Sequence, residues 1–232
     1  MNGLDYSKLS HSELLTIARD SASEMFKILP KTIYLGSLTL ESKLPWKAVV
    51  LRESLLHRFS DFLDAAVKLY DADRAIPAFS VTRAVMETTA MMYWLSIKAK
   101  EFSETKDVDA FDEFLMKGMF GGRDVGSPLS PYNILTAVDH IDKQINGTRA
   151  IYDILCEFTH PNYAGVLGSY THFDVQQHIT YFGKEQSKVQ IEFGLIPLVA
   201  CIEVFEVIYN SLASTLKEIN DSYARNSTPK AQ

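Results

Sequence analysis

Cysteine is scarce: 232 residues contain only Cys156 and Cys201, both set inside apolar helical patterns. No disulfide or metal staple is needed to fold such a chain, and the two thiols read as small buried hydrophobes in a reducing compartment. An excess of basic charge is also missing. The net charge is −6 and the pI about 5.5, which argues against a general nucleic-acid coat or an anionic-membrane binder while leaving room for a local basic site. There is no glycine-rich P-loop, no G-x-G-x-x-G, no G-x-S-x-G and no Cys-x-x-Cys. No cofactor is therefore expected. Internal repeats and low-complexity blocks are absent, and Met1–Ser10 is polar without the apolar stretch of a signal peptide. A cytoplasmic protein is expected. One long hydrophobic run remains, Gly194–Leu212. Glu203 and Glu206 sit in its middle, where central charges cost ~2.5–3.5 kcal/mol each on insertion scales. A buried helix explains it better than a membrane span.

Hydrophobic residues make up 47% and charged residues 22% of the chain, enough apolar material for one sizeable core. The spacing predicts an all-α fold: a single bundle of six to seven helices over 1–223, with a flexible tail at 224–232. Ser10 and Glu13 have capping-box spacing ahead of a first helix, His11–Leu29. A second, Trp46–Tyr70, carries Ala48, Leu51, Leu55, Phe59, Phe62, Ala66 and Leu69 as one stripe, with Glu53 and His57 turned outward. The third, Ala75–Lys100, is apolar nearly all round and belongs at the bundle centre. A fourth spans Asp107–Met119. Ser130 is expected to cap a fifth helix running to Ile145, with Pro131 at its first position. The sixth spans Thr148–Thr159, and Pro161 ends it. Ile179–Phe182 and Val189–Phe193 are candidates to pair as a hairpin around GKEQS. The last helix, Leu195–Tyr223, is so apolar that self-association through it is expected.

Two groups of residues could carry chemistry. Arg83 and Glu87 are the only charges between Arg74 and Lys98, one turn apart on an apolar face. They form either a structural ion pair that sets helix register or the lining of a pocket or subunit interface. Replacing Arg83 should then be more damaging than replacing Arg52, which lies at the flank of its stripe. On the sixth helix Arg149, Asp153, Glu157 and His160 fall at steps of four, four and three. This polar stripe stops at a His-Pro-Asn step and meets a loop containing Tyr163, Tyr170, His172 and His178. It is either a solvated helix face or the edge of a binding or acid–base site. His160, Arg83, Glu87 and Glu157 are the candidates for catalysis; Arg149, Asp153, Tyr152, Tyr163 and His172 are the candidates for binding. Glu157 and His160 also make an E-x-x-H unit, but a di-metal bundle needs a second unit and two further glutamates. No second E-x-x-H unit is present, and no metal ligand is assigned.

The run from Leu51 to Leu95, followed by YDILCEFTHPN, resembles a group of prokaryotic helical proteins in which an R-x-x-x-E helix precedes a short helix ending in His-Pro. These look related to the HEPN superfamily of helical bundles, which includes ribonuclease toxins and antiphage proteins. The resemblance covers Trp46–Asn162. It implies a homodimeric HEPN-like domain in a defence or stress system, with RNA or a nucleotide as the ligand to consider; the acidic charge balance speaks against membrane or general DNA binding. Metal-independent RNA cleavage is the enzymatic alternative, and a small-molecule pocket between helices two, three and six is a third. The superfamily's Arg-x(4–6)-His nuclease motif has one formal match, Arg52-ESLL-His57. It lies on an early helix, and a five-residue step turns His57 about 140° from Arg52. The nuclease roles are accordingly not carried over to it.

Overall fold

The computed structural model describes residues 5–34, 36, 38, 40–124, 126–187 and 189–226. It is 72% helical, so the all-α expectation holds. The helices are α1 (His11–Ile28), α2 (Leu44–Asp71), α3 (Ala75–Thr105), α4 (Val108–Phe120), α5 (Ile134–Asp142), α6 (Thr148–Thr159), α7 (Leu167–Tyr170) and α8 (Glu192–Asn226). Between α7 and α8 lies a small antiparallel pair, β1 (Thr171–Asp174) and β2 (Ile179–Phe182). The first helix starts as its spacing predicts: Ser10 accepts from the Glu13 amide, and Glu13 Oε2 accepts from the Ser10 amide at 2.8 Å.

Helix α3 is the axle of the bundle. It packs against α2, α4, α5, α6 and α8, while α1 closes the far side against α2 and α8. Its buried residues, among them Phe79, Val85, Met92 and Leu95, point to every side. The buried threonines Thr88 and Thr89 return their hydroxyls to the Ala84 and Val85 carbonyls, so they bring no unpaired polar atom into the core. Phe59 of α2 stacks on Phe205 of α8 at 3.9 Å between centroids.

α8 is long and apolar enough over Glu192–Ala224 to cross a membrane. Here it lies in the bundle, with Leu195, Leu198, Ile202, Phe205, Leu212 and Ile219 buried. Glu203, in its middle, accepts a hydrogen bond from the Tyr6 hydroxyl. Burial and this bond push the Tyr6 phenol up to about 12. α1, α2 and α3 cover it from several sides, and Val207 on its flank stays half-exposed. The helix reaches Asn226; residues 227–232, which hold most of the expected tail, lie outside the described residues.

Two other expectations change. The fifth helix is capped by Asn133, whose side chain accepts from the Leu135 amide, and not by Ser130. Tyr132 is drawn against Trp94 and Phe114, and its hydroxyl donates to the Phe114 carbonyl at 2.9 Å. That anchor holds the chain before Asn133 outside the helix. β2 falls where expected, but its partner is Thr171–Asp174 and not Val189–Phe193. Val189 and Ile191 pack onto the core at the root of α8, which removes them from sheet pairing. The shorter connection also favours the observed hairpin. Asp174 Oδ1 accepts from the Gln176 and Gln177 amides, and His178 adopts a left-handed φ of 55° to bring the chain back.

The start of α8 is set by close approach. A Cβ on Gly194 would stand 2.3 Å from both the Phe79 ring and the Tyr70 hydroxyl. Tyr70 itself is held by Thr82 at 2.8 Å, so neither neighbour can yield easily. Gly194→Ala is expected to lower the unfolding free energy by about 1–3 kcal/mol through overpacking, measured by urea denaturation. An unchanged midpoint would show that this contact is loose.

Candidate functional site

α6 lies along α3, and the two helices meet through a polar contact at each of three successive turns. Ser80 faces Thr159 at 3.5 Å, Arg83 Nη1 faces Cys156 Sγ at 3.9 Å, and the Tyr152 hydroxyl donates to Glu87 Oε1 at 2.9 Å. Arg83 Nε and Glu87 Oε1 are 3.5 Å apart, with the two side chains 27% and 21% exposed. The pair is therefore a partly wetted seam on the flank of the axle. Burial, reinforced by the hydrogen bond to Glu87, holds the Tyr152 phenol well above its ordinary range.

The stripe on α6 separates into different jobs. Arg149 is held by Asp153 at 3.0 Å and by Asp139 of α5 at 2.6 Å, while its amide donates to Asp142. These carboxylates raise the guanidinium's already high pKa. The cluster ties α5 to α6, and its charges are matched on the spot. Glu157 is exposed and accepts from the Asn162 amide group at 2.5 Å, closing the chain around Pro161. His160 is the C-cap of α6 and is exposed. Its imidazole makes no hydrogen bond among the described residues. Arg83, Glu87 and Tyr152 come together. Glu157 and His160 lie on the exposed part of the same helix end and share no contact with them among the described residues.

Beyond His160 the chain turns back so tightly that a Cβ on Gly165 would stand 2.1 Å from the His160 carbonyl oxygen. The turn delivers Tyr163 and Leu167 beside the hairpin. Together with Gly168, Thr171, His172, Phe173 and Thr180 they line an open groove of about 470 Å³. Tyr163 and His172 thus share one surface. His172 stacks on Tyr181 across the strands at 6.3 Å. His178 serves the hairpin turn. A second cleft, of about 340 Å³, opens at the N-terminus of α3 between Arg74, Tyr170 and Lys184. Lys184 Nζ there is 3.3 Å from the Asp73 carbonyl oxygen. Sequence spacing held no sign of it, because its walls lie some 110 positions apart. Among the described residues no three His, Cys, Asp or Glu side chains gather in a metal-holding group.

Among the described residues the most enclosed ion pair is elsewhere, at Arg52 and Glu53, 12% and 11% exposed. Adjacent residues on a helix do not ordinarily face one another. These two meet because α8 lays Tyr209 across them. Arg52 Nη1 lies 2.5 Å from Glu53, and Nη2 donates to the Tyr209 carbonyl at 3.1 Å. The guanidinium sits 3.6 Å above the Tyr209 ring, and the Tyr209 hydroxyl donates to Glu53 Oε2 at 2.8 Å. Arg52 is thus a clamp between α2 and α8. His57 points elsewhere, its Nε2 2.8 Å from the Pro30 carbonyl oxygen. This reverses the expected order of damage. Arg52→Ala leaves Glu53 buried without its cation and should cost about 3 kcal/mol or more. Arg83→Ala should cost about 1 kcal/mol, since water reaches its partner. Denaturant midpoints of the two variants give the comparison; a larger loss for Arg83→Ala would contradict the clamp.

A pH dependence follows from the same clamp. Burial and then the bond to Glu53 push the Tyr209 phenol from 10.0 up to about 12. The folded phenol therefore keeps its proton where the unfolded one loses it. This contribution to stability is fully present below pH 10 and fades as pH rises through about 12. In Tyr209→Phe the alkaline fall in stability over that window should be shallower, as read by denaturation at fixed pH steps. Comparison of the chain with protein families, with characterised proteins and with solved structures finds no match.

Proposed function

We propose that this chain is a HEPN-like helical domain that works in the cytoplasm by binding, as a homodimer and within a prokaryotic defence or stress system. The family and setting rest on the resemblance over Trp46–Asn162. The observation that carries the binding reading is the placement of exposed apolar side chains. Of the eighteen large hydrophobic residues exposed among the described residues, nine lie between Tyr163 and Phe193. Such a concentration on one projecting segment marks an interaction surface.

The groups that a metal-independent ribonuclease would use are engaged otherwise. Arg149 is matched by aspartates, Arg83 sits in the seam, and Arg52 is folded beneath Tyr209. Among the described residues His160 has no partner to orient its imidazole for proton transfer, whereas a general acid or base acts from a held geometry. Purified protein incubated in chelator with mixed single-stranded and structured RNA should leave the RNA intact, as should His160→Ala and His57→Ala. Cleavage by the wild type that His160→Ala abolishes would replace the binding reading with the nuclease one. Cleavage lost only in His57→Ala would do the same through the Arg52–His57 motif.

A further inference from the structure

The β1–β2 hairpin stands off the bundle. Its neighbours are α7 and the 3-10 turn at Lys184–Gln186, rather than the long helices. All four β2 residues are exposed, as are His172 and Phe173 of β1. A two-stranded sheet in water is marginal unless something covers it. Here both faces carry exposed apolar side chains, interleaved with Thr171 and Thr180 on one and with His172 and Asp174 on the other. The register Thr171↔Phe182 and Phe173↔Thr180 places Phe173 and Phe182 on one face, and Ile179 and Tyr181 on the other.

The outer edge of β2 is equally bare. The Gly183 amide donates to the Tyr170 carbonyl at 2.9 Å. By the alternation of an antiparallel ladder, Ile179 and Tyr181 then turn their backbone groups toward β1, and Thr180 and Phe182 turn theirs outward. Edge strands of monomers ordinarily carry a lysine, a proline, a bulge or an inward charge against unwanted pairing. β2 reads ITYF and has neither charge nor proline.

We propose that the hairpin is the contact between two copies of this chain, joined β2 to β2 about a two-fold axis into a four-stranded antiparallel sheet. The inference rests on the binding reading and names its partner. A strand that pairs with its own copy sets each residue opposite or diagonal to a residue of the same strand, so any charge would meet its like. β2 is uncharged in a chain of net charge −6, whereas β1 ends in Asp174 and makes the poorer self-pairing edge. Exposed aromatic side chains surround the β2 edge. Tyr163, Phe173, Tyr181 and Phe182 are 76%, 53%, 41% and 73% exposed. At roughly 200 Å² per aromatic side chain they present roughly 500 Å² per copy. An edge-to-edge joint covers only part of this, so the contact falls in the small, reversible class below ~1,200 Å² in total.

Sedimentation of the full chain at tens of micromolar should show a dimer. Thr180→Glu, which sets like charges across the two-fold axis, should raise the dissociation constant about ten-fold or more, and Phe182→Ser should weaken the dimer with helicity unchanged in both. Val207→Glu, on the half-exposed flank of α8, should leave the dimer intact. A wild-type monomer would overturn the inference, as would a dimer insensitive to both hairpin variants or one lost only in Val207→Glu. A monomer would also remove the homodimer from the proposed function, whereas the binding reading itself falls only if the RNA incubation shows cleavage.

Discussion

Everything in this fold depends on the need to surround α3. A helix of 31 residues with apolar side chains on every side cannot lie on a surface, and its burial demands neighbours around its whole girth. α2 and α8 supply two sides, α4 and α5 the end near Trp94, and α6 the remaining flank. Where the cover is thinnest, α3 carries Arg83 and Glu87. Those charges orient α6 by giving Tyr152 and Cys156 defined partners. The position of α6 in turn decides where His160 ends the helix and from which point the hairpin projects. A packing constraint at the centre thus sets the geometry of the exposed aromatic surface.

Much of this architecture was legible from spacing. The capping box at Ser10, the proline at the start of α2, the all-round apolarity of α3 and the His-Pro stop of α6 are local signals, and each acts within a turn or two of its residues. What was not legible depends on distant partners. Glu53 looks outward on the pattern of α2 alone, and it becomes buried only because Tyr209 arrives from more than 150 positions away. Arg52 was placed at a flank for the same reason. A hydrophobic stripe reports which side of a helix meets the first core layer; it says nothing about a later helix covering the other side. The hairpin shows the converse limit. Val189–Phe193 has the composition of a strand, but the core claims Val189 and Ile191 first.

The candidate site was legible as a list of residues more than as an arrangement. Arg83, Glu87 and Tyr152 share a seam, and Tyr163 and His172 share a groove. The stripe from Arg149 to His160 divides among a charge cluster joining two helices, a clasp around Pro161 and an exposed imidazole. One stripe on a helical wheel can serve several neighbours, because each turn of α6 looks onto a different part of the molecule.

The segment between α6 and α8 has fixed ends. Gly165 folds it against the His160 carbonyl at one end, and Gly194 seats the other against Phe79 and Tyr70. For a loop between fixed anchors, closure entropy rises only logarithmically with length, by about 0.6 kcal/mol per doubling. The hairpin within it, unlike the core-bound Ser169, Val189 and Ile191, can therefore be lengthened, shortened or recoloured while the bundle beneath keeps its stability. In evolutionary terms the helical body is a mount and the arm an exchangeable fitting, so divergence in what such a chain recognises should gather between two glycines.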